Sequence, residues 1–386
     1  MGVWDELTGQ ADAVEVFRAA ADIDGHDASM THSWLVTGPP GSGRSNIAYA
    51  FATALLSTGE NDEATARQVA ARTHPDLGVL ATERVIISID EVRQLVATSQ
   101  FSPSVGRYRV MIIEDADRMV ERTSNVLLKA LEEPPPRTVW ILCAPSEADL
   151  IPTIRSRVRS VRLRVPRIED VATLVARRDN VDMEIATRAA REAQSHIGMA
   201  HRLATNAEAR ERRDQTLKIA LGIRSVSDAV RAASTLMTLA GDDAKAFTVE
   251  KDAEERASAM RSLGVEPGGT IPPALRAQLK TLDEDQKRRA TRSLRDGLDR
   301  IMVDLMSLYR DVLLLQLGAT TELINLSIHP ELVDASERSS AAGTLATMDA
   351  ITTARKRIES NVAPALALEA MLISVAAARS HPEHIR

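Results

Sequence analysis

The sequence predicts an α/β domain, a parallel sheet with helices on both faces, followed by a small helical lid domain and an all-α C-terminal bundle. Three observations predict it. Up to about residue 165, short aliphatic runs alternate with helix-patterned segments. From about Pro166 the strand-like runs cease, and beyond about residue 210 apolar residues recur at helical spacing over long stretches. The expected boundaries are 1–165, 166–210 and 211–386.

The strands come first. Ser33–Thr37 (SWLVT), Val110–Ile113 (VMII) and Val139–Ala144 (VWILCA) are apolar without alternation, the pattern of strands covered on both faces. Helices are expected between them at Asn46–Leu56, Ile89–Ser99 and Ser124–Glu133. The last stops at Pro134-Pro135-Pro136, which cannot continue a helix. Three short helices follow at Ile168–Val175, Met183–Ser195 and Ala200–Ala209. Longer ones are expected at Ser225–Ala240, Asp283–Leu317, Gly343–Asn361 and Ala363–Arg379, with Gly264–Pro273 as a flexible link. Helices of that length predict a bundle that packs on itself or on its equivalents in neighbouring subunits.

Composition excludes several classes. The 386 residues carry a formal net charge of −6, so the chain does not grip nucleic acid by overall charge; partners must supply most of the basic surface. Aromatic residues make up only 3%, so the cores must be largely aliphatic. The single cysteine, Cys143 within VWILCAP, leaves no disulfide framework and no thiolate zinc site, and reads as a small buried hydrophobe. The start MGVWDELTGQ lacks the charge and apolar pattern of a signal peptide, and Glu6 stands where myristoylation needs Ser or Thr. No apolar run reaches membrane-spanning length, and a cytoplasmic protein without membrane contact is expected.

The strand SWLVT is followed by Gly38-Pro39-Pro40-Gly41-Ser42-Gly43-Arg44-Ser45 and then by a helix. Glycines between strand and helix let backbone N–H groups turn inward around a phosphate, and the helix N-terminus adds its positive dipole end. This is the phosphate-loop pattern GxxxxGK[ST] with Arg44 in the lysine position. Gly38, Gly41, Ser42, Gly43, Arg44 and Ser45 are therefore the nucleotide-binding candidates. Arginine is a planar fork where the site is shaped for a point charge. The loop either binds ATP or ADP with Mg²⁺ and hydrolyses it poorly, or binds none; Ser45 keeps the hydroxyl that such loops set on magnesium.

After VMII comes Glu114-Asp115-Ala116-Asp117. In a phosphate-loop ATPase the first acid here holds the metal and the second orients water. The usual order, Asp then Glu, is reversed, so Glu114 and Asp115 form a degenerate pair. The alternative is a solvated acidic loop end.

The run Asn125-Val126-Leu127-Leu128-Lys129-Ala130-Leu131-Glu132-Glu133-Pro134-Pro135 resembles a helix shared by the clamp-loader subunits of bacterial DNA polymerase III, members of the AAA+ family. Thr153-Ile154-Arg155-Ser156-Arg157-Val158 resembles their Ser-Arg-Cys motif, with Val158 for the cysteine. Leu7-Thr8-Gly9-Gln10 is similar to their opening segment, and His74-Pro75-Asp76 and the run 361–369 are similar to segments of delta-prime-type chains. Departures stand beside the likeness. Ser57–Thr73 has no cysteine where many relatives carry a four-cysteine zinc module, so no zinc is expected. At the spacing of the sensor-2 arginine stands His201, followed by Arg202. With the sequence ending at Arg386, a long extension of the tau kind is not expected.

The resemblance implies an AAA+ P-loop domain, a lid and a C-terminal collar. It implies a non-motor, delta-prime-type subunit that keeps the Ser-Arg element and has lost much of its own ATPase chemistry. Its partners would be the gamma/tau and delta subunits, and through them the sliding clamp and primed DNA. Arg157 would be the trans-acting arginine finger in a neighbour's ATP site; the alternative makes it one of several surface arginines with Arg155, Arg159, Arg162 and Arg164. Two other readings stay open: an active gamma-class ATPase of the same complex, and a stand-alone P-loop protein.

Overall fold

The computed structural model describes residues 4, 7–22, 30–57, 59, 63–82, 85–262, 273–360 and 362–380. The chain divides into two compact units, Met1–Thr205 and Asn206–Arg386.

The first unit runs α1 (Ala11–Ala21), β1 (Ser33–Thr37), α2 (Arg44–Leu56), α3 (Glu63–Ala70), β2 (Leu77–Leu80), α4 (Ile89–Ser99), β3 (Arg109–Ile113), α5 (Glu121–Glu132), β4 (Thr138–Ala144), α6 (Pro152–Arg155) and β5 (Arg159–Arg162). Then come α7 (Ile168–Asp179), α8 (Met183–Glu192) and α9 (Ile197–Thr205). The five strands form one parallel sheet in the order β2-β3-β4-β1-β5. Every residue of β1, β3 and β4 is buried, which explains their unbroken apolar sequences. The expected α/β fold with a parallel sheet is therefore present.

Two strands were not foreseen, and both lie at the sheet edges. In β5 only Val161 is buried, while Arg159, Ser160 and Arg162 face solvent. Charged side chains there protect an unpaired edge from adding further strands. The short β2 is mostly half-buried and has a glycine at its second position.

Each sheet face has its own core. On one, Phe17, Trp34 and Phe51 form a triangle with ring centroids 5.2, 4.6 and 5.4 Å apart, which concentrates much of a small aromatic complement in one place. On the other, Leu35, Ile113, Trp140 and Leu142 meet Leu127 and Leu131 of α5. The expected helix Ile89–Ser99 starts on a capping box, Ser88 with Glu91.

His74-Pro75-Asp76 acts as a fastening. Asp76 is fully buried, and its Oδ1 accepts from Ser104 N (2.7 Å), Ser104 Oγ (2.9 Å) and Arg109 Nη2 (3.0 Å). Its Oδ2 accepts from Val105 N (2.7 Å) and Gly106 N (2.8 Å), so one carboxylate pins the middle of the connection from α4 to β3. Burial pushes this carboxyl up, but the N–H groups of Gly106, Val105 and Ser104, with the Ser104 hydroxyl, outweigh it and hold it below the usual aspartate range.

The second unit contains α10 (Ala207–Gly222), α11 (Val226–Ser262), α12 (Pro273–Gln316), α13 (His329–Glu337), α14 (Ala341–Glu359) and α15 (Pro364–Ser380). The single helix expected at Ala200–Ala209 is two. Asn206 takes extended backbone and caps α10 by accepting from Ala209 N (3.0 Å), which ends α9 at Thr205. The Gly264–Pro273 link lies outside the described residues except for Pro273, the first residue of α12. Leu217, Leu236, Leu305, Leu308, Leu332 and Leu372 belong to the core of this unit. Within it Arg213 donates to Asp304 (3.0 Å) and to Asn325 Oδ1 (2.5 Å), tying α10 to α12 and to the turn before α13.

Among the described residues no helix is long and apolar enough to cross a membrane.

Candidate nucleotide-binding site

The loop Gly38–Ser45 joins β1 to α2, as its glycines require. Gly41 and Gly43 take φ of +79° and +90°, values that side chains with a Cβ rarely adopt. Arg44 then opens α2, so the helix N-terminus points at the loop. The backbone has the form of an anion cradle, and three side chains close on the loop.

Arg44 turns back on its own loop, and its Nη1 donates to Gly38 O at 2.5 Å. The cation that stands in the phosphate-binding lysine's position is thus bonded to the loop's first carbonyl. The Ser42 hydroxyl is buried without a partner. On the outer side Gln10 ties the loop down: its Nε2 donates to Ser42 O (3.2 Å) and Arg164 O (2.8 Å), and its Oε1 accepts from Arg164 N (3.1 Å). The Leu7–Gln10 segment therefore acts here through a glutamine that joins the loop to the segment after β5.

The acidic element faces the loop across the sheet end. Glu114 accepts from Ser45 Oγ (2.8 Å), Tyr49 Oη (2.6 Å) and Arg72 Nη2 (2.8 Å). The two groups that would share a magnesium ion are bonded directly to each other, and Arg72 brings the positive charge. Burial, then the hydrogen bond to Glu114, pushes the Tyr49 phenol far up, so it stays a donor. Asp115 has φ of +51° and pairs with Arg118 (3.4 Å). Asp117 is raised by burial and by the Asp115 charge, and its Oδ1 is buried without a partner.

The third constraint comes from the helices after the sheet. His196, just before α9, lies so close over Gly41 that a Cβ there would meet its Cγ at 2.2 Å. Ile197 N donates to Gly41 O (3.4 Å), and Met199 N donates to His196 Nδ1 (3.2 Å). His201, one turn further along α9, is bonded to Asp179 Oδ2 at 2.7 Å. In this structure Gly38 O, the Ser45 hydroxyl and Glu114 thus have protein partners.

The sequence reading identified Gly38–Ser45, Glu114 and Asp115, and the structure brings them together. It missed Gln10 as a clamp, Tyr49, Arg72 and His196. Tyr49 lies one turn along α2 from Ser45, so helical spacing pointed to it. Nothing local marked Arg72, at the end of the segment without cysteines, or His196, more than 150 residues from the loop. Among the described residues no cluster of three or more His, Cys, Asp or Glu is arranged to hold a metal. Metal analysis of the purified chain is expected to return no stoichiometric zinc; about one zinc per chain would sink that reading of residues 57–73.

Arg157 sits apart from the loop, between α6 and β5. Its Nη1 donates to Thr153 O (2.7 Å) and Ser156 Oγ (2.9 Å), and its Nε donates to Glu132 Oε1 (2.6 Å) at the end of α5. The side chain remains about one-third exposed, at 32%. The Ser-Arg element and the Leu-Glu-Glu-Pro-Pro helix end, distant in sequence, thus meet at one place on the surface.

Residues 9–167 match the family described as "DNA polymerase III, delta subunit". The DNA polymerase III subunit delta' of Pseudomonas aeruginosa is 38% identical over 141 residues, 34% of this chain and 43% of that protein. The subunit delta' of Escherichia coli is 29% identical over 196 residues, 48% of this chain and 59% of that one. A DNA polymerase III subunit gamma from Buchnera aphidicola is 29% identical over 148 residues, 36% of this chain and 40% of that protein. The chain thus spans 43% and 59% of the length of these two delta' relatives. Over residues 9–167 the chain is thus similar to delta' subunits, a likeness better supported than that to the gamma type.

Proposed function

We propose that this chain, delta'-type over residues 9–167, works as a non-motor subunit of a DNA polymerase III clamp loader. In this role its 1–165 P-loop domain, 166–210 lid and 211–386 helical collar join gamma/tau and delta subunits in the cytoplasm. The complex sets a sliding clamp on primed DNA, and Arg157 serves a neighbour's ATP site. One observation carries the reading: Arg44 and Gln10 bond to carbonyls of the chain's own phosphate loop and His196 packs on Gly41, while Arg157 stands at the surface apart from that loop. A subunit built this way has little use for its own nucleotide and an arginine to lend.

The test is reconstitution: the chain mixed with candidate gamma/tau and delta subunits should co-purify in a complex of defined mass that loads clamps. Failure to enter any such complex overturns the proposal. Alone, the chain is expected to turn over ATP negligibly. Arg44→Lys should raise nucleotide affinity more than turnover, because Glu114 and Asp115 remain exchanged. Titration with a fluorescent ATP analogue and a phosphate-release assay separate the two effects. Wild-type turnover matching a gamma subunit would favour the motor reading.

A further inference from the structure

Glu132 is the last residue of α5, beside the negative end of the helix dipole, where a carboxylate is unfavourable. The next residue, Glu133, repeats the charge. Helix stability therefore does not explain an acid at this position. What Glu132 touches does: its Oε1 accepts from both Arg157 Nε, at 2.6 Å, and Arg157 Nη2.

A guanidinium has five N–H donors. Here both Nη1 hydrogens go to Thr153 O and Ser156 Oγ, while Nε–H and one Nη2 hydrogen go to Glu132. One donor is left over. The Nε/Nη2 edge that could grip two oxygens of a phosphate is the edge that Glu132 holds. The Nη1 bonds fix where the head of the side chain lies, and the carboxylate decides whether its fork is available.

We propose that Glu132 is a latch on Arg157: it parks the fork in the free subunit and sets how readily the arginine passes to an anion on a neighbouring subunit. This rests on the trans-acting role given to Arg157 above. Glu132 is a positioning residue, and the exchange it governs is carboxylate for phosphate on one edge of one guanidinium. Both side chains are partly exposed, at 32% for Arg157 and 45% for Glu132, so the latch is weak and a desolvated phosphate outcompetes it.

The test uses Glu132→Gln, which keeps the shape and removes the charge. In the full isolated chain, the Arg157 Nε–H resonance is identified by its loss in Arg157→Lys. Its exchange with water should be slowed in the wild type and several-fold faster in Glu132→Gln. In the reconstituted loader, the same variant should raise ATP hydrolysis without clamp or DNA by about two- to five-fold, the range an exposed ion pair spans. Hydrolysis stimulated by clamp and DNA should stay within about two-fold of wild type, because the phosphate already holds the fork there. Glu132→Gln should have no effect in an Arg157→Ala background. Unchanged Nε–H exchange overturns the latch whatever hydrolysis does. Faster exchange with unchanged or lowered basal hydrolysis removes its control of the neighbour. Hydrolysis indifferent to Arg157→Ala as well refutes the trans-acting reading itself and leaves only a surface ion pair.

Discussion

Arg157→Ala is expected to leave the isolated chain folded and to cut the neighbouring subunit's clamp- and DNA-stimulated ATP hydrolysis by about 10³-fold or more. Trans-acting arginines contribute roughly 10³–10⁵ by stabilising charge on the transferred phosphoryl group. The folded chain should lose less than about 1 kcal/mol, because Arg157 and its partner Glu132 are both partly exposed. Two neighbours serve as controls. Arg155→Ala should change little. Arg159 lies over Trp34, 5.0 Å from the ring centroid, so its loss should appear in stability rather than in rate. A loader that hydrolyses ATP and loads clamps normally with Arg157→Ala would return Arg157 to the ordinary surface.

Asp76→Asn is expected to destabilise the first unit by about 3–5 kcal/mol, the cost of leaving a buried cation without its counter-charge. Arg109 is nearly buried and keeps its charge when Asp76 loses its own. The amide also has one acceptor oxygen where the carboxylate offers two, so some of Ser104, Val105 and Gly106 lose their bonds. Urea unfolding followed by tryptophan fluorescence reads this directly, since Trp4, Trp34 and Trp140 all lie in Met1–Thr205. A pH signature accompanies it. The folded carboxyl is depressed, so its contribution is fully present above the unfolded value of about 3.9 and is lost as pH falls through the folded one. The acid loss of stability should therefore be shallower in Asp76→Asn. A midpoint equal to wild type would show that the α4–β3 connection is held by something else.

Sequence legibility followed burial. β1, β3 and β4 are covered on both faces and were readable from apolar runs alone; β1 was placed to the residue. β2 and β5 escaped because an edge strand needs neither continuous burial nor apolar residues, and RSVR carries only one buried side chain. α4 was legible because its apolar spacing and its capping box agree. The break at Asn206 was missed because apolar spacing continues across it and only the capping bond marks the end. At the loop, glycine spacing announced the backbone. The side chains that close it come from α2, from the end of α3 and from His196, and a linear motif carries no record of such meetings.

The sheet order also has a consequence for how the protein is made. β1 is hydrogen-bonded to β4 and β5 and to no strand that precedes them in the chain. Between Thr37 and Thr138 the ribosome must add about 100 residues; at roughly 5–20 residues per second, Trp34, Leu35 and Val36 wait on the order of 5–20 s for a strand partner. During that interval the nascent chain can shelter Trp34 with Phe17 and Phe51, which flank it in α1 and α2, but not with a paired strand. Nascent chains stalled before residue 138 has emerged should thus be cut readily by protease around β1. Those stalled after residue 164 has emerged, when β5 is complete and Gln10 has its carbonyl to hold, should resist.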